Sequence, residues 1–266
     1  MILSSSARRV LAVLTWAVLA LIYVPLIVVV FNSFNTNQAM TWPPDGFTLT
    51  WWKRAWESQG AREAVLTSLQ VAALATLTAL VLGTLLAFAL QRFDFFGKSS
   101  VNLLVILPIA LPGIVTGIAL NNAFKGIMNV ELSLLTLVVA HATFCIVTVF
   151  NNVQARLRRM GGNLEEASSD LGAGIWTTFR LVTFPQLRSA LLAGGLLAFA
   201  LSFDEIIVTT FTAGIDLTTL PIWILNNMFR PSQAPVVNVV AVVMILLSIV
   251  PIWIAQKLSS DTQGVQ

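Results

Sequence analysis

The chain has 266 residues, of which 57% are hydrophobic and only 10% are charged. Soluble domains carry roughly 25% charged residues, so this composition excludes a soluble globular enzyme. The net charge of +3 is spread over separated loops and forms no basic patch, which excludes a nucleic-acid partner. The single cysteine, Cys145, excludes an intrachain disulfide and a cysteine metal cluster.

Six apolar segments are long enough to cross a membrane as helices. The first is longer than the apolar region of a signal peptide and is predicted to be retained. The sequence therefore predicts an all-α, polytopic membrane protein with six transmembrane helices in a single domain that covers 1–266. The predicted helices lie at about 10–31, 65–90, 101–121, 132–150, 190–213 and 235–256.

The loop charges predict the orientation of these helices. Short cytoplasmic loops retain an excess of Lys and Arg. The excess falls on the side of the two chain ends, and the cluster Arg156, Arg158 and Arg159 directly follows the fourth segment. The topology is therefore predicted to be N-in and C-in.

Two features between the segments carry structural expectations. Pro108 and Pro112 remove backbone donors inside the third segment and should kink it. Half of the eight tryptophans lie in the loop after the first segment, at Trp42, Trp51, Trp52 and Trp56. This pattern favours an interfacial anchor on the membrane surface, and a ligand cage is the second interpretation.

The predicted cytoplasmic loop, about 151–189, contains a patterned stretch from Glu165 to Pro185. Asn163, followed three residues later by Glu166, predicts a helix start with Asn163 as the cap. Gly172 is expected to end this helix in the left-handed conformation. Pro185 is expected to mark the entry into the next membrane helix, so the loop should hold a short, stiff amphipathic helix.

This loop resembles the EAA loop of the permeases of ATP-binding-cassette importers. Glu166, Ala167, Gly172 and Pro185 match its spacing, whereas Ser168, Val182 and Phe184 are conservative departures. The resemblance implies a type I importer permease fold and a coupling helix that docks on a separate ATPase subunit. It assigns this coupling role to Glu165, Glu166, Ala167, Ser168, Asp170, Gly172 and Pro185. A surface helix that merely covers the bundle is the alternative.

Further motifs are similar to the second permease of the spermidine/putrescine subfamily. They begin at Phe31, Gly46, His141 and Leu201. The resemblance implies an inner-membrane permease that does no covalent chemistry and holds no cofactor, because ATP is bound by partner subunits. The implied partners are a second, homologous permease, two ATPase subunits, membrane lipid and an extracytoplasmic substrate-binding protein. The stretch from Asp45 to Glu57 is predicted to form part of the surface for that binding protein, and a homodimer of permeases stays open.

Asp204 and Glu205 form the one acidic pair predicted to lie well inside a membrane helix. A carboxylate in hydrocarbon costs about 2.5–3.5 kcal/mol, so it should face a cavity or a partner. We expect this pair, with Phe203 and Phe211, to line a pathway for a small cationic amine, and the resemblance makes a polyamine the expected substrate. The alternative is that one carboxylate binds an Arg or a helix N-terminus of the sister permease.

The sequence also bears on alternative functions. The same architecture could serve an amino-acid-like compound or an organic anion. A carrier driven by an ion gradient would need a series of carboxylates across the membrane, and this sequence has no such series.

Two short motifs resemble other kinds of site. Gly97, Lys98 and Ser99 resemble part of a phosphate-binding loop, but Arg92 occupies the position of its first glycine. His141 and Cys145 are one helical turn apart, and we predict buried hydrogen-bond donors there in place of a metal site.

Overall fold

The structure is a computed structural model that describes residues 4–260, and it describes side chains throughout that range except for Ser5 and 250–260. Within it the chain forms α-helices joined by loops and two π-helical turns. The helices are α1 (Ser5–Asn32), α2 (Thr50–Glu57), α3 (Gln59–Arg92), α4 (Lys98–Ala110), α5 (Gly113–Asn121), α6 (Leu134–Met160), α7 (Asn163–Asp170), α8 (Ile175–Thr178), α9 (Phe184–Phe203), α10 (Ile207–Thr212), α11 (Leu220–Asn227) and α12 (Ala234–Ser260). The π-helical turns are Asn122–Ile127 and Phe179–Thr183.

Within the described residues, four helical stretches are long and apolar enough to cross a membrane: Ser6–Asn32, Gln59–Arg92, Leu134–Met160 and Ile175–Phe203. A fifth crossing is possible where Lys98–Ala110 and Gly113–Ile127 form one broken span. The apolar part of α12 with described side chains, Ala234–Ile249, is shorter. The all-α, multi-spanning prediction is therefore confirmed, whereas the count of six and the N-in, C-in orientation remain predictions.

The chain divides into two compact units. The first contains the described residues up to Ala61 together with Ile224–Val250, and the second contains Arg62–Trp223 and residues 251–260. In the first unit, α1 leaves most of its apolar side chains exposed, including Trp16 at 72% and Leu21 at 77%. A helix with so little buried surface in its own chain requires an apolar surrounding.

Helix α6 is the centre of the second unit. Its buried residues include Ala140, Cys145, Val149 and Phe150, which form one cluster with small residues of α3 and α9. The backbones approach closely there, because a Cβ atom added to Gly83 would lie 2.8 Å from the carbonyl oxygen of Ile146. Small residues at such contacts are the usual means of packing helices in a membrane, where lipid removes the hydrophobic drive.

The third predicted segment is broken rather than kinked. Helix α4 contains Pro108 and ends at Ala110, Leu111 is extended, and Pro112 caps the start of α5. The two parts of the span are bent by 105°. The residue before a proline is disfavoured in the helical conformation, so Leu111 leaves the helix and the chain turns there.

The fifth predicted segment, 190–213, is also wrong as a single helix. Helix α9 ends at Phe203 and α10 begins at Ile207, so Asp204 and Glu205 lie in the break between them. No proline or glycine marks this break, and the acidic pair itself is the one charged interruption of the apolar segment. Helix α11 was likewise not predicted.

The tryptophan loop combines a packed part with an exposed part. Trp51 is 4% exposed and its Nε1 donates to the carbonyl oxygen of Asn35 at 2.7 Å. Trp52 stacks on Phe34 with ring centroids 5.2 Å apart. Trp42 and Trp56 are 71% and 78% exposed. The anchor interpretation therefore fits only the last two, whereas Trp51 holds the fold of the loop.

Candidate functional site

The polar loop between α6 and α9 carries the short helix α7. Its cap is Gly162, whose carbonyl oxygen accepts from the backbone N–H of Glu166, and Asn163 is the first helical residue. The predicted cap at Asn163 is therefore wrong by one residue. Gly161 adopts a positive φ of 65° just before it, so the turn out of α6 uses backbone freedom and no side-chain cap.

The predicted end of α7 at Gly172 is confirmed. Gly172 has a φ of 83°, and its N–H donates to the carbonyl oxygen of Ser169. The N–H of Ala173 donates to the carbonyl oxygen of Ser168 at 3.1 Å. These two hydrogen bonds are the Schellman motif, which needs a residue that tolerates the left-handed conformation.

Glu165 is the inward-facing acidic residue of α7. Its Oε2 lies 2.7 Å from Nη2 of Arg92, the last residue of α3, and the two side chains are 24% and 26% exposed. Its Oε1 accepts from the hydroxyl of Thr183 at 2.8 Å. Nη2 and Nε of Arg92 make no aligned hydrogen bond within the described residues, so charge attraction holds the Arg92 contact.

The opposite side of the loop is exposed and partly apolar. Glu166, Ala167 and Asp170 are exposed, whereas Ser168 hydrogen-bonds to Thr178 at 3.0 Å. Three large apolar side chains that the sequence analysis missed lie on the same loop: Leu171, Ile175 and Trp176 are 90%, 93% and 72% exposed. Their signal was apolar residues beside glycines in an otherwise polar loop. Such exposure is typical of a protein-protein contact.

Pro185 lies near the start of α9, but it does not begin the helical stretch that contains α9. The helical stretch already begins at Ile175 and runs through the π-helical turn Phe179–Thr183 into α9, where Pro185 is the second residue. A proline has no N–H to donate, and the wider π turn accommodates that loss without ending the helix.

A cleft of about 640 Å³ lies between this loop and the end of α3. Its walls include Phe88, Trp176 and Phe179, and the ion pair of Arg92 with Glu165 lies at its edge. The aromatic rings are packed, with Trp176 and Phe179 stacked at 5.7 Å. The loop thus packs on α3 on one side and is open on the other.

At the break between α9 and α10 the two acidic residues face different surroundings. Glu205 is half-buried, and its Oε1 accepts from the backbone N–H of Val208 at 2.9 Å, which satisfies a free donor at the start of α10. Asp204 is exposed, and its side chain makes no hydrogen bond or ion pair within the described part of the chain. Asp204 is therefore the available carboxylate of the pair.

His141 of α6 holds both sides of this break. Its ring is fully buried, with Nδ1 2.8 Å from the hydroxyl of Ser202 on α9 and Nε2 2.9 Å from that of Thr209 on α10. Cys145 donates to the carbonyl oxygen of Ala198. Both residues are thus the buried hydrogen-bonding groups that were predicted, and the described residues contain no cluster of three or more metal-binding side chains.

The two phenylalanines expected with the acidic pair are separated. Phe203 lies directly before the break and stacks on Phe199, with centroids 5.9 Å apart. Phe211 packs against Gly117 of α5, and its carbonyl oxygen accepts from the side chain of Asn121. Phe203 thus stays beside Asp204, whereas Phe211 joins α10 to α5.

A bundle of apolar helices with a polar, outward-facing loop helix is the architecture of a membrane transport subunit. Residues 79–263 match the family described as binding-protein-dependent transport system inner membrane component. The chain belongs to this family. It is a multi-pass inner-membrane subunit of an ATP-binding-cassette importer and not an enzyme.

Two relatives of the chain are permeases named for polyamine transport. The chain is 32% identical over 250 residues to the spermidine/putrescine transport system permease protein PotC of Escherichia coli (strain K12), covering 93% of each chain. It is 32% identical over 227 residues to the putrescine transport system permease protein PotI of the same strain, covering 83% of this chain and 80% of PotI.

A solved structure supports the fold. A bacterial ABC transporter involved in the import of the acidic polysaccharide alginate superposes with a TM-score of 0.76 at 16% identity, covering 97% of this chain and 99% of that chain.

Proposed function

We propose that this chain forms half of the translocation pathway of an ATP-driven importer for a polyamine such as spermidine or putrescine. Two relatives are named for these substrates, and the similarity covers most of both chains. The observation that carries the proposal is Asp204, an exposed and unpaired carboxylate in the break between α9 and α10.

The surroundings of Asp204 suit an alkylammonium group. The residue follows the last turn of α9, where the helix dipole presents partial negative charge to a cation. Phe203 directly precedes it and stacks on Phe199, so this pair offers aromatic surface to a flexible cation. Glu205 is committed to the N–H of Val208, so we assign it to holding the break and Asp204 to the pathway.

We further propose that α7 is the coupling helix. In this assignment Glu166, Ala167 and Asp170, with exposed Leu171 and the apolar residues after it, contact a separate ATPase subunit. A surface that merely covered the bundle would gain nothing from leaving Leu171 90% exposed. The loop and both chain ends would then lie on the cytoplasmic side.

The remaining partners follow from the same proposal. A second, homologous permease completes the pathway, two ATPase subunits bind ATP, and an extracytoplasmic binding protein delivers the substrate. The stretch from Asp45 to Glu57 is the proposed contact for the binding protein. Exposed Trp42 lies just before it, exposed Trp56 lies within it, and Trp51 fixes its fold. ATP must favour one arrangement of the ATPase pair, and the docked helices follow it, because a ligand shifts only an equilibrium whose states it binds differently.

The test is uptake of labelled spermidine into proteoliposomes that contain the complete transporter, with the binding protein outside and ATP inside. We expect uptake to require ATP and the binding protein. Excess putrescine should compete, whereas an amino acid or an organic anion should not. Competition by the anion alone would replace the polyamine with the alternative solute class.

The control arm omits ATP and imposes an ion gradient. Gradient-driven uptake by this chain without the ATPase would contradict the proposed energy source. A wild-type rate in the Asp204→Asn variant would instead remove Asp204 from the pathway and leave the importer assignment in place.

A further inference from the structure

We propose that Glu165 fastens the docking helix α7 to the membrane helices, so that the two adjacent glutamates of α7 have separate tasks. Glu165 transmits the movement of α7 inward, and Glu166 is left for the partner. This inference rests on the proposed function, in which α7 docks on an ATPase subunit. Glu165 is therefore a positioning residue of the transport cycle and makes no contact with substrate or ATP.

The carboxylate of Glu165 joins three elements. Glu165 lies on α7, Arg92 at the end of α3, and Thr183 at the end of the π-helical turn that leads into α9. The other side-chain link from α7 to a later element, from Ser168 to Thr178, spans only ten residues and stays within the loop. The contact with Arg92 therefore ties the loop to a separate membrane span.

The ion pair of Arg92 with Glu165 is sheltered from water. Both side chains are about one quarter exposed, at 24% and 26%, and the two atoms are 2.7 Å apart. The pair of Lys53 and Glu57 is 3.9 Å apart, with side chains 78% and 60% exposed. Exposed pairs contribute little because water and salt screen them, whereas a sheltered pair loses much more when one partner is removed.

Helix α7 is short, and a glycine turn lies on either side of it. The helix has eight residues, too few for independent stability, and glycines with positive φ adjoin it at Gly161 and Gly172. A helix joined to its neighbours only through these ends would absorb a push from a partner by rotating. The two contacts of Glu165 remove that freedom and pass the push to α3 and α9.

Glu166 provides the matched control. It follows Glu165 directly and therefore points about 100° away around the helix. Its side chain is exposed, and within the described residues it takes part in no ion pair. The same substitution at the two positions thus separates an inward role from an outward one.

The experiment uses the complete transporter in proteoliposomes and measures three quantities: co-purification of the ATPase, ATP hydrolysis, and spermidine transported per ATP hydrolysed. We expect Glu165→Gln and Arg92→Glu to leave co-purification intact and ATP hydrolysis within about twofold, while transport per ATP falls about tenfold. Thr183→Val should give a smaller loss of the same kind. Glu166→Gln should instead weaken co-purification.

The charge exchange Arg92→Glu with Glu165→Arg is the decisive arm. We expect it to recover at least about half of the wild-type transport per ATP, because it restores the attraction with the partners reversed. This arm also decides the question if the single variants assemble poorly, since recovery of assembly and coupling supports the pair. A double variant as impaired as the single variants would overturn the proposal, as would unchanged transport per ATP in Glu165→Gln.

Failure of the inference is distinguishable from failure of the proposed function. If Glu165→Gln reduces co-purification as much as Glu166→Gln does, then Glu165 is a docking contact and the inference is wrong while α7 still docks. If neither glutamate affects association with the ATPase and replacement of Leu171 by Asp has no effect either, the docking assignment of α7 is wrong.

Discussion

Helix α7 and the break between α9 and α10 each carry two adjacent acidic residues, and in each pair the two carboxylates have different contacts. In the loop, Glu165 is bound to Arg92 and Thr183 while Glu166 is exposed. At the break, Glu205 caps the start of α10 while Asp204 is exposed. The inward residue comes first in the loop and second at the break. Adjacent acidic residues therefore do not form one site, and each pair combines a structural carboxylate with an available one.

The largest expected effect is that of replacing His141, which contacts both sides of the break between α9 and α10. Replacement by Ala would leave the hydroxyls of Ser202 and Thr209 without their buried partner and open a cavity. We expect a loss of about 2–4 kcal/mol in stability. Thermal unfolding of the detergent-solubilised protein measures it. Recovery is expected with Gln, which keeps a donor and an acceptor, and an unfolding temperature equal to wild type would show that α6 does not hold the break.

The second prediction compares equal substitutions within the acidic pair of the break. Asp204→Asn should reduce spermidine uptake about tenfold or more, because the charge that attracts the ammonium group is lost. Glu205→Gln should keep uptake within about twofold, because the amide oxygen still accepts from the N–H of Val208. Uptake at several spermidine concentrations separates the two, and the reverse ranking would exchange their roles.

The third prediction concerns Gly172, which ends α7 in the left-handed conformation. A Cβ atom there would meet nothing within 4 Å, so only the φ of 83° opposes a side chain. Gly172→Ala should cost about 1–2 kcal/mol in the local stability of the α7 end. Hydrogen exchange of the amides of Gly172 and Ala173 measures this cost. Gly174→Ala is the control, because Gly174 has equal space and an ordinary φ of −71°.

The smallest expected effect concerns the exposed pair of Lys53 and Glu57. Lys53→Ala should leave the unfolding temperature unchanged within error, because both side chains are largely in solvent. The same measurement on Arg92→Ala should show a clear decrease. Equal shifts for the two variants would mean that shelter from water does not distinguish these ion pairs.

The sequence predicted what depends on periodicity and on glycine. The apolar runs indicated the four long apolar helices of the described residues, and Gly172 ended α7 as expected. The break at Asp204 was not predicted, because no proline or glycine marks a helix end there and the acidic pair alone does not require one. In the structure, His141 contacts both sides of it. Sequence likewise left open which carboxylate of each pair faces inward, since that depends on partners 73 residues away, such as Arg92 for Glu165.

The π-helical turn Phe179–Thr183 has a consequence for the direction in which the loop points. Such a turn contains one residue more than the α-helical turn it replaces, and each residue advances the chain by about 100° around the helix axis. Removal of one residue from this turn would let Ile175–Phe203 continue as a regular α-helix. The aromatic residues before the turn, Trp176 among them, would then rotate relative to α9, and Thr183 would lose its register with Glu165. The length of this turn therefore sets the angular phase between the membrane span and the surface offered to a partner.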